Sequence, residues 1–65
     1  MLDFRVETFL AVCQTMNFTR AAEQLHITQP AVSQHIRALE EQYGTKLFRS
    51  QGKQLQLTES GRLFF

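Results

Sequence analysis

Up to Gly44 the apolar residues recur at three- and four-residue steps, and beyond it they alternate with polar ones. A three-to-four-residue period marks an amphipathic helix and an alternating one a half-buried strand. A 65-residue chain that changes period once must therefore join a helical body to a small β element. At this size folding removes only about 60% of the surface that the unfolded chain exposes. The apolar residues, 43% of the chain with six Phe among them, must then serve one shared core.

The helical part divides into three. From Leu2 to Met16 the residues Val6, Phe9, Leu10, Cys13 and Met16 fall on helical steps, with Asp3 placed as a cap at the positive end. Thr19 is the expected cap of a second helix, whose Ala21, Ala22 and Leu25 give a narrow face that another helix can approach closely. Thr28 caps a third, with Pro30 in its first turn and Ile27 and Val32 spaced as a hydrophobic staple; Gly44 stops it. A short helix, a tight turn and a longer helix form a helix-turn-helix pattern, though the turn lacks the usual Gly.

After Gly44, "KLFRS" and "QLQLT" read as two strands, with Leu55 and Leu57 on one face and Gln54 and Gln56 on the other, joined by the loop "SQGK". Thr58 can cap a final helix that ends at "RLFF" with three large apolar residues, and this helix is expected to continue further. The fold class expected is mainly α: a three-helix winged helix-turn-helix with a two-stranded β-hairpin wing and the start of a fourth helix. Residues 1–58 would form the domain and 59–65 the beginning of a segment that continues.

The third helix carries the functional signal. At about 100° per residue, Val32, Ile36, Leu39 and Tyr43 fall on the arc facing the core. Gln29, Pro30, Ser33, Gln34 and Arg37 turn away from it. No acid occurs from Gln24 to Leu39, whereas a merely solvated face more commonly mixes both signs. Gln can hydrogen-bond adenine twice, Ser is adaptable, and Arg reaches guanine or phosphate, so the outward set matches what a major groove displays. The net charge of +1 is low for a nucleic-acid binder, yet Gln42–Thr58 holds Lys46, Arg49 and Lys53 and no acid. A basic hairpin there could straddle phosphates and reach a minor groove, or be an ordinary edge hairpin kept soluble by charge.

Other function classes find little support. The carboxylates are scattered along polar faces and no Gly-rich phosphate loop exists, so no enzyme is expected. His26, His35 and Cys13 fit no zinc spacing, and no metal or cofactor is expected. Cys13 reads as a small core residue, His26 as a turn residue and His35 as a flank residue near DNA. Without a long apolar run or a leader-like start, neither membrane insertion nor export is indicated, and a cytoplasmic location is expected. The alternative to DNA binding is a winged-helix protein-protein interaction module, for which the apolar "RLFF" end would suit a partner helix.

The segment "FLAVCQTMNFTRAAEQLHITQPAVSQHIRALEEQYGTKLFRSQGKQLQLTESG" resembles the N-terminal winged helix-turn-helix domain of LysR-type transcriptional regulators. The likeness is carried by "FTRAAEQL" (18–25), "TQPAVSQHIRALE" (28–40), "LF" (47–48) and "LTESG" (57–61) at the family's spacing. It implies sequence-specific binding to double-stranded DNA by a bacterial regulator, with a recognition helix at about 28–42 in the major groove and a wing at about 46–57 on the backbone or minor groove. By position, Gln29, Pro30, Ser33 and Gln34 would face bases, and Thr28 and Arg37 would lie on or near phosphates. Where the family usually carries "LF-x-R", Phe48 is followed by Arg49 and Ser50, which leaves Arg49 and Lys53 as alternatives for the wing contact. The resemblance further implies that the fourth helix, at 59–65, is the start of a linker helix through which a homodimer or tetramer forms. A small-molecule effector is expected only for a C-terminal domain that these 65 residues do not contain, and the shortened linker is expected to dimerise poorly.

Overall fold

Four helices and one hairpin follow in the order α1 (Phe4–Thr15), α2 (Phe18–Leu25), α3 (Gln29–Tyr43), β1 (Phe48–Gln51), β2 (Gln54–Leu57) and α4 (Glu59–Phe64) in the computed structural model, which describes residues 4–64. The parts expected of Leu2, Asp3 and Phe65 lie outside the described residues. The mainly α winged helix-turn-helix expected from the change of period is the architecture found.

In α1 the fully buried residues are Thr8, Phe9, Ala11 and Val12, while Leu10, Cys13 and Met16 pack at the margin of the core. The buried stripe is thus rotated from the one marked by the largest apolar residues. Thr8 tolerates complete burial because its hydroxyl is satisfied, lying 3.2 Å from the Phe4 carbonyl and 2.8 Å from His35 Nδ1. At the margin, burial pushes the Cys13 thiol up to about 11.

Each of the three longer helices is followed by a left-handed residue, and only one of these is glycine. Met16 (φ 50°) follows α1, its N–H donating to the Val12 carbonyl. His26 (φ 59°) follows α2, where its own N–H donates to Glu23 and that of Ile27 to Ala22, the paired bonds of a Schellman motif. The turn of the helix-turn-helix therefore has the geometry that glycine favours, built with histidine. At the start of α2 the cap is Asn17, whose Oδ1 accepts from Arg20 N–H at 2.9 Å, and Thr19, the residue expected to cap, lies inside the helix.

Helix α3 begins as its sequence dictates. Thr28 Oγ1 accepts from Ala31 N–H, Pro30 occupies the first turn, and Val32, Ile36 and Leu39 are buried. Tyr43 departs from expectation: the residue is 51% exposed, because its ring packs edge-on against Phe64 of α4 at 4.8 Å and not within the core. Gly44 (φ 66°) closes α3, with its own and Thr45's N–H groups both reaching the Glu40 carbonyl.

The hairpin pairs Phe48 with Leu57 and Gln51 with Gln54, so its loop is Gly52-Lys53, two residues shorter than the "SQGK" expected. Positive φ is confined to Gly52, as a type II′ connection requires. Leu47 and Phe48 root the hairpin in the helices at 0% and 6% exposure. The Phe48 ring meets Phe9 at 5.5 Å and Phe18 at 6.0 Å, and burial of such a side chain is worth about 1.5–3 kcal/mol. On the far side, Thr58 N–H donates to the Leu47 carbonyl, Thr58 Oγ1 donates to the Lys46 carbonyl, and Gly61 N–H donates back to Thr58 Oγ1. Gly61 lies so close to this segment that a Cβ would come within 2.3 Å of the Leu47 carbonyl oxygen.

Three measurements check this packing. Gly61→Ala should destabilise the domain by about 1–3 kcal/mol in urea titration, because the added methyl meets a backbone oxygen that cannot swing aside. His26→Gly should stabilise it by about 0.5–1 kcal/mol, since relief of the left-handed strain outweighs the extra chain entropy of glycine. Iodoacetamide at pH 8 should alkylate Cys13 about a hundredfold more slowly than a thiol of ordinary pKa, because a raised pKa leaves correspondingly less thiolate below it; unfolding in urea should abolish the difference.

Candidate nucleic-acid interface

The outward face of α3 and the inner side of the hairpin enclose an open cleft of about 480 Å³. Its polar lining comes from Gln29, Ser33 and Arg37 on α3, one helical turn apart, from Lys46, Arg49 and Ser50 on the wing and its approach, and from Asn17 and Thr19 at the start of α2. Its floor is apolar, made of Met16, Phe18, Ile36, Phe48 and Leu55. The spacing of Gln29, Ser33 and Arg37 at four-residue steps puts all three in one row, because side chains at i and i+4 stand one above the other on a helix.

Within this row Gln29 Nε2 donates to Ser33 Oγ at 2.9 Å. The amide oxygen of Gln29 and the hydroxyl hydrogen of Ser33 remain available to a partner as acceptor and donor. Thr28 is exposed; its oxygen lone pair is engaged by Ala31 N–H while its hydroxyl hydrogen can be donated outward. Pro30 and Gln34 are exposed on the same outward half of α3 but are not part of the cleft wall.

The sequence left Arg49 and Lys53 as equal alternatives, and their positions differ. Arg49 stands on β1 and lines the same cleft as Arg37, whereas Lys53 occupies the exposed turn at the hairpin tip. Arg37, Lys46 and Arg49 make the cleft cationic against one carboxylate, Glu40, whose Oε2 accepts from Leu47 N–H at 2.9 Å and whose Oε1 lies 3.8 Å from Lys46 Nζ. Glu40 is therefore not the solvated surface charge expected of it, its side chain being 13% exposed. Its signal was faint: an acid one turn after Arg37 and six residues before the first cation of the wing.

His35 also departs from its sequence reading. Its ring turns inward from the flank of α3, bonding Thr8 and meeting the Phe4 ring edge-on at 5.5 Å, so it braces α3 against α1. Of the two residues that reach the cleft from the start of α2, Thr19 was legible only as a capping candidate and Asn17 was assigned no role. Among the described residues no cluster of His, Cys, Asp or Glu could hold a metal ion, and no helix is long and apolar enough to cross a membrane.

The family model for bacterial regulatory helix-turn-helix proteins of the lysR family matches residues 5–62. The chain is 49% identical over 61 residues to the RuBisCO operon transcriptional regulator of Allochromatium vinosum, covering 94% of this chain and 20% of that protein. It is 47% identical over 60 residues to the glycine cleavage system transcriptional activator of Escherichia coli K12, covering 92% and 20%. The chain thus spans about a fifth of the length of these curated relatives. Among solved structures it is similar to a transcriptional regulator of the LysR family from Eggerthella lenta DSM 2243, with 70% identity and a TM-score of 0.92 over 97% of this chain and 90% of that one. It is also similar to the crystallised BenM_DBD/benA site 1 DNA complex, with 34% identity and a TM-score of 0.89 over 98% and 72%.

Proposed function

The chain belongs to the lysR family of bacterial regulatory helix-turn-helix proteins, and from that premise we propose that it binds double-stranded DNA sequence-specifically, with α3 in the major groove and the hairpin on the adjoining backbone or minor groove. The observation that carries this reading is the cationic cleft, which Gln29, Ser33 and Arg37 on α3 line together with Arg49 on the hairpin. A groove-reading helix needs donors and acceptors in its first turns and cations flanking them for the phosphates, and both are present in that order. The similarity to a domain crystallised in a DNA complex supports the same reading over a protein-interaction module.

Roles divide by position. Gln29, Pro30, Ser33 and Gln34 contact bases, the Gln side chains as bidentate readers and Pro30 by apolar contact. Thr28 donates its hydroxyl to a phosphate at the positive end of α3, and Arg37 anchors the next phosphate along the row. Arg49, lining the cleft with Arg37, takes the main wing contact, and Lys53 at the tip reaches outward along the backbone. Residues 1–58 form the binding domain and α4 begins the linker. In the whole protein the linker pairs subunits into a dimer or tetramer, and a further domain receives a small-molecule effector. Such a regulator acts in the cytoplasm and performs no catalysis of its own.

Anisotropy titration of labelled duplexes separates the two kinds of contact. Arg37→Ala should weaken binding to all duplexes and lower the slope of log affinity against log salt by about 1. Gln34→Ala should instead relax base preference, costing about 1–3 kcal/mol on the best site and little elsewhere. Unchanged duplex affinity in both variants would refute the assignment of α3 as the recognition helix.

A further inference from the structure

The wing has only two short strands, and a two-stranded hairpin is at best marginally stable in water on its own. Its cations can act on DNA only if something fixes the hairpin relative to α3. Leu47 and Phe48 supply burial, but burial is non-directional and does not by itself define where β1 points. Thr58 ties the carbonyls of this entry to the α4 side, and the directional tie to α3 comes from Glu40. Its carboxylate, with the side chain 13% exposed, accepts from Leu47 N–H at 2.9 Å and more loosely from Phe48 N–H at 3.4 Å, the two amides at the entry to β1. The same side chain sits on α3 one turn beyond Arg37 and lines the cleft.

We propose that Glu40 is a positioning residue for DNA binding: through the Leu47 and Phe48 amides it sets the wing, and with it Arg49, at a fixed place against the recognition helix. The proposal rests on the DNA-binding reading above and adds to it a group that repels phosphate yet raises affinity for it. An acid in a phosphate-binding cleft is unfavourable as a direct neighbour of DNA. Its retention there is accounted for by the two main-chain donors, which a carboxylate satisfies better than any neutral side chain. Lys46, 3.8 Å away and 80% exposed, screens the remaining charge without being held by it.

The test uses the 65-residue chain with a labelled random-sequence duplex at low salt, together with amide hydrogen exchange on the free protein. Glu40→Met keeps the length of the side chain and removes the acceptor. It should speed exchange at the Leu47 and Phe48 amides while Val32 stays protected, and weaken duplex binding about tenfold, the size of effect expected when a charge-assisted hydrogen bond is lost. Glu40→Gln, which keeps one acceptor oxygen, should restore most of the affinity, and Lys46→Met should leave the Leu47 amide protected. In the double variant, Arg49→Ala should cost much less in the Glu40→Met background than in the unaltered chain, because a wing already out of place has little contact left to lose. Independent, multiplying losses would overturn the proposal, as would unchanged affinity in Glu40→Met. Loss of protection throughout Glu40→Met would overturn it too, by making Glu40 a support of the whole fold. Failure of the unaltered chain to bind any duplex would overturn the DNA reading itself, which is told apart from failure of the anchor because amide exchange needs no DNA.

Discussion

The burial of Leu47 and Phe48 is the contact on which the two parts of the molecule depend. Three helices with short connections can close most of a core from local contacts, but the hairpin cannot stand without them. Phe48 brings it into the aromatic group of Phe9 and Phe18, and Phe64 of α4 packs on the same Phe9 ring at 5.1 Å. One pair of residues thus joins the start of the chain, the wing and the last helix. Any loosening here would separate the elements that form the cleft while leaving the helix-turn-helix itself intact.

The parts that the sequence made legible are those governed by period and by capping chemistry. The row Gln29, Ser33, Arg37 follows from helical spacing, and Val32, Ile36 and Leu39 follow from the same geometry on the opposite side. Thr28, Pro30 and Gly44 mark both ends of α3 because each has a single physical reason to be there. What escaped was decided by tertiary partners. Thr8 is buried because a histidine twenty-seven positions away shares its hydroxyl, and no local pattern foretells that. His26 and Met16 take left-handed conformations for which the sequence offers no glycine, so the rule that finds Gly44 overlooks them.

The candidate site divides along the same line. Residues whose side chains project from regular positions of α3 were found, and those that depend on how the wing folds back were not resolved. Arg49 and Lys53 are equivalent in a linear charge count; only the pairing of Phe48 with Leu57 separates a residue beside the cleft from one at the tip. Glu40 looked like one more surface acid because its partners are backbone amides, which carry no signature in the sequence.

That choice of partner has an evolutionary meaning. The hydrogen bonds on the strand entry, from Glu40 to the Leu47 and Phe48 amides and from Thr58 to the Lys46 and Leu47 carbonyls, are made to the main chain. Those ties are indifferent to the side chains at positions 46, 49, 50 and 53. Mutation can rewrite the outer surface of the wing without releasing its mounting, so a scaffold of this kind can drift from one target to another through viable intermediates.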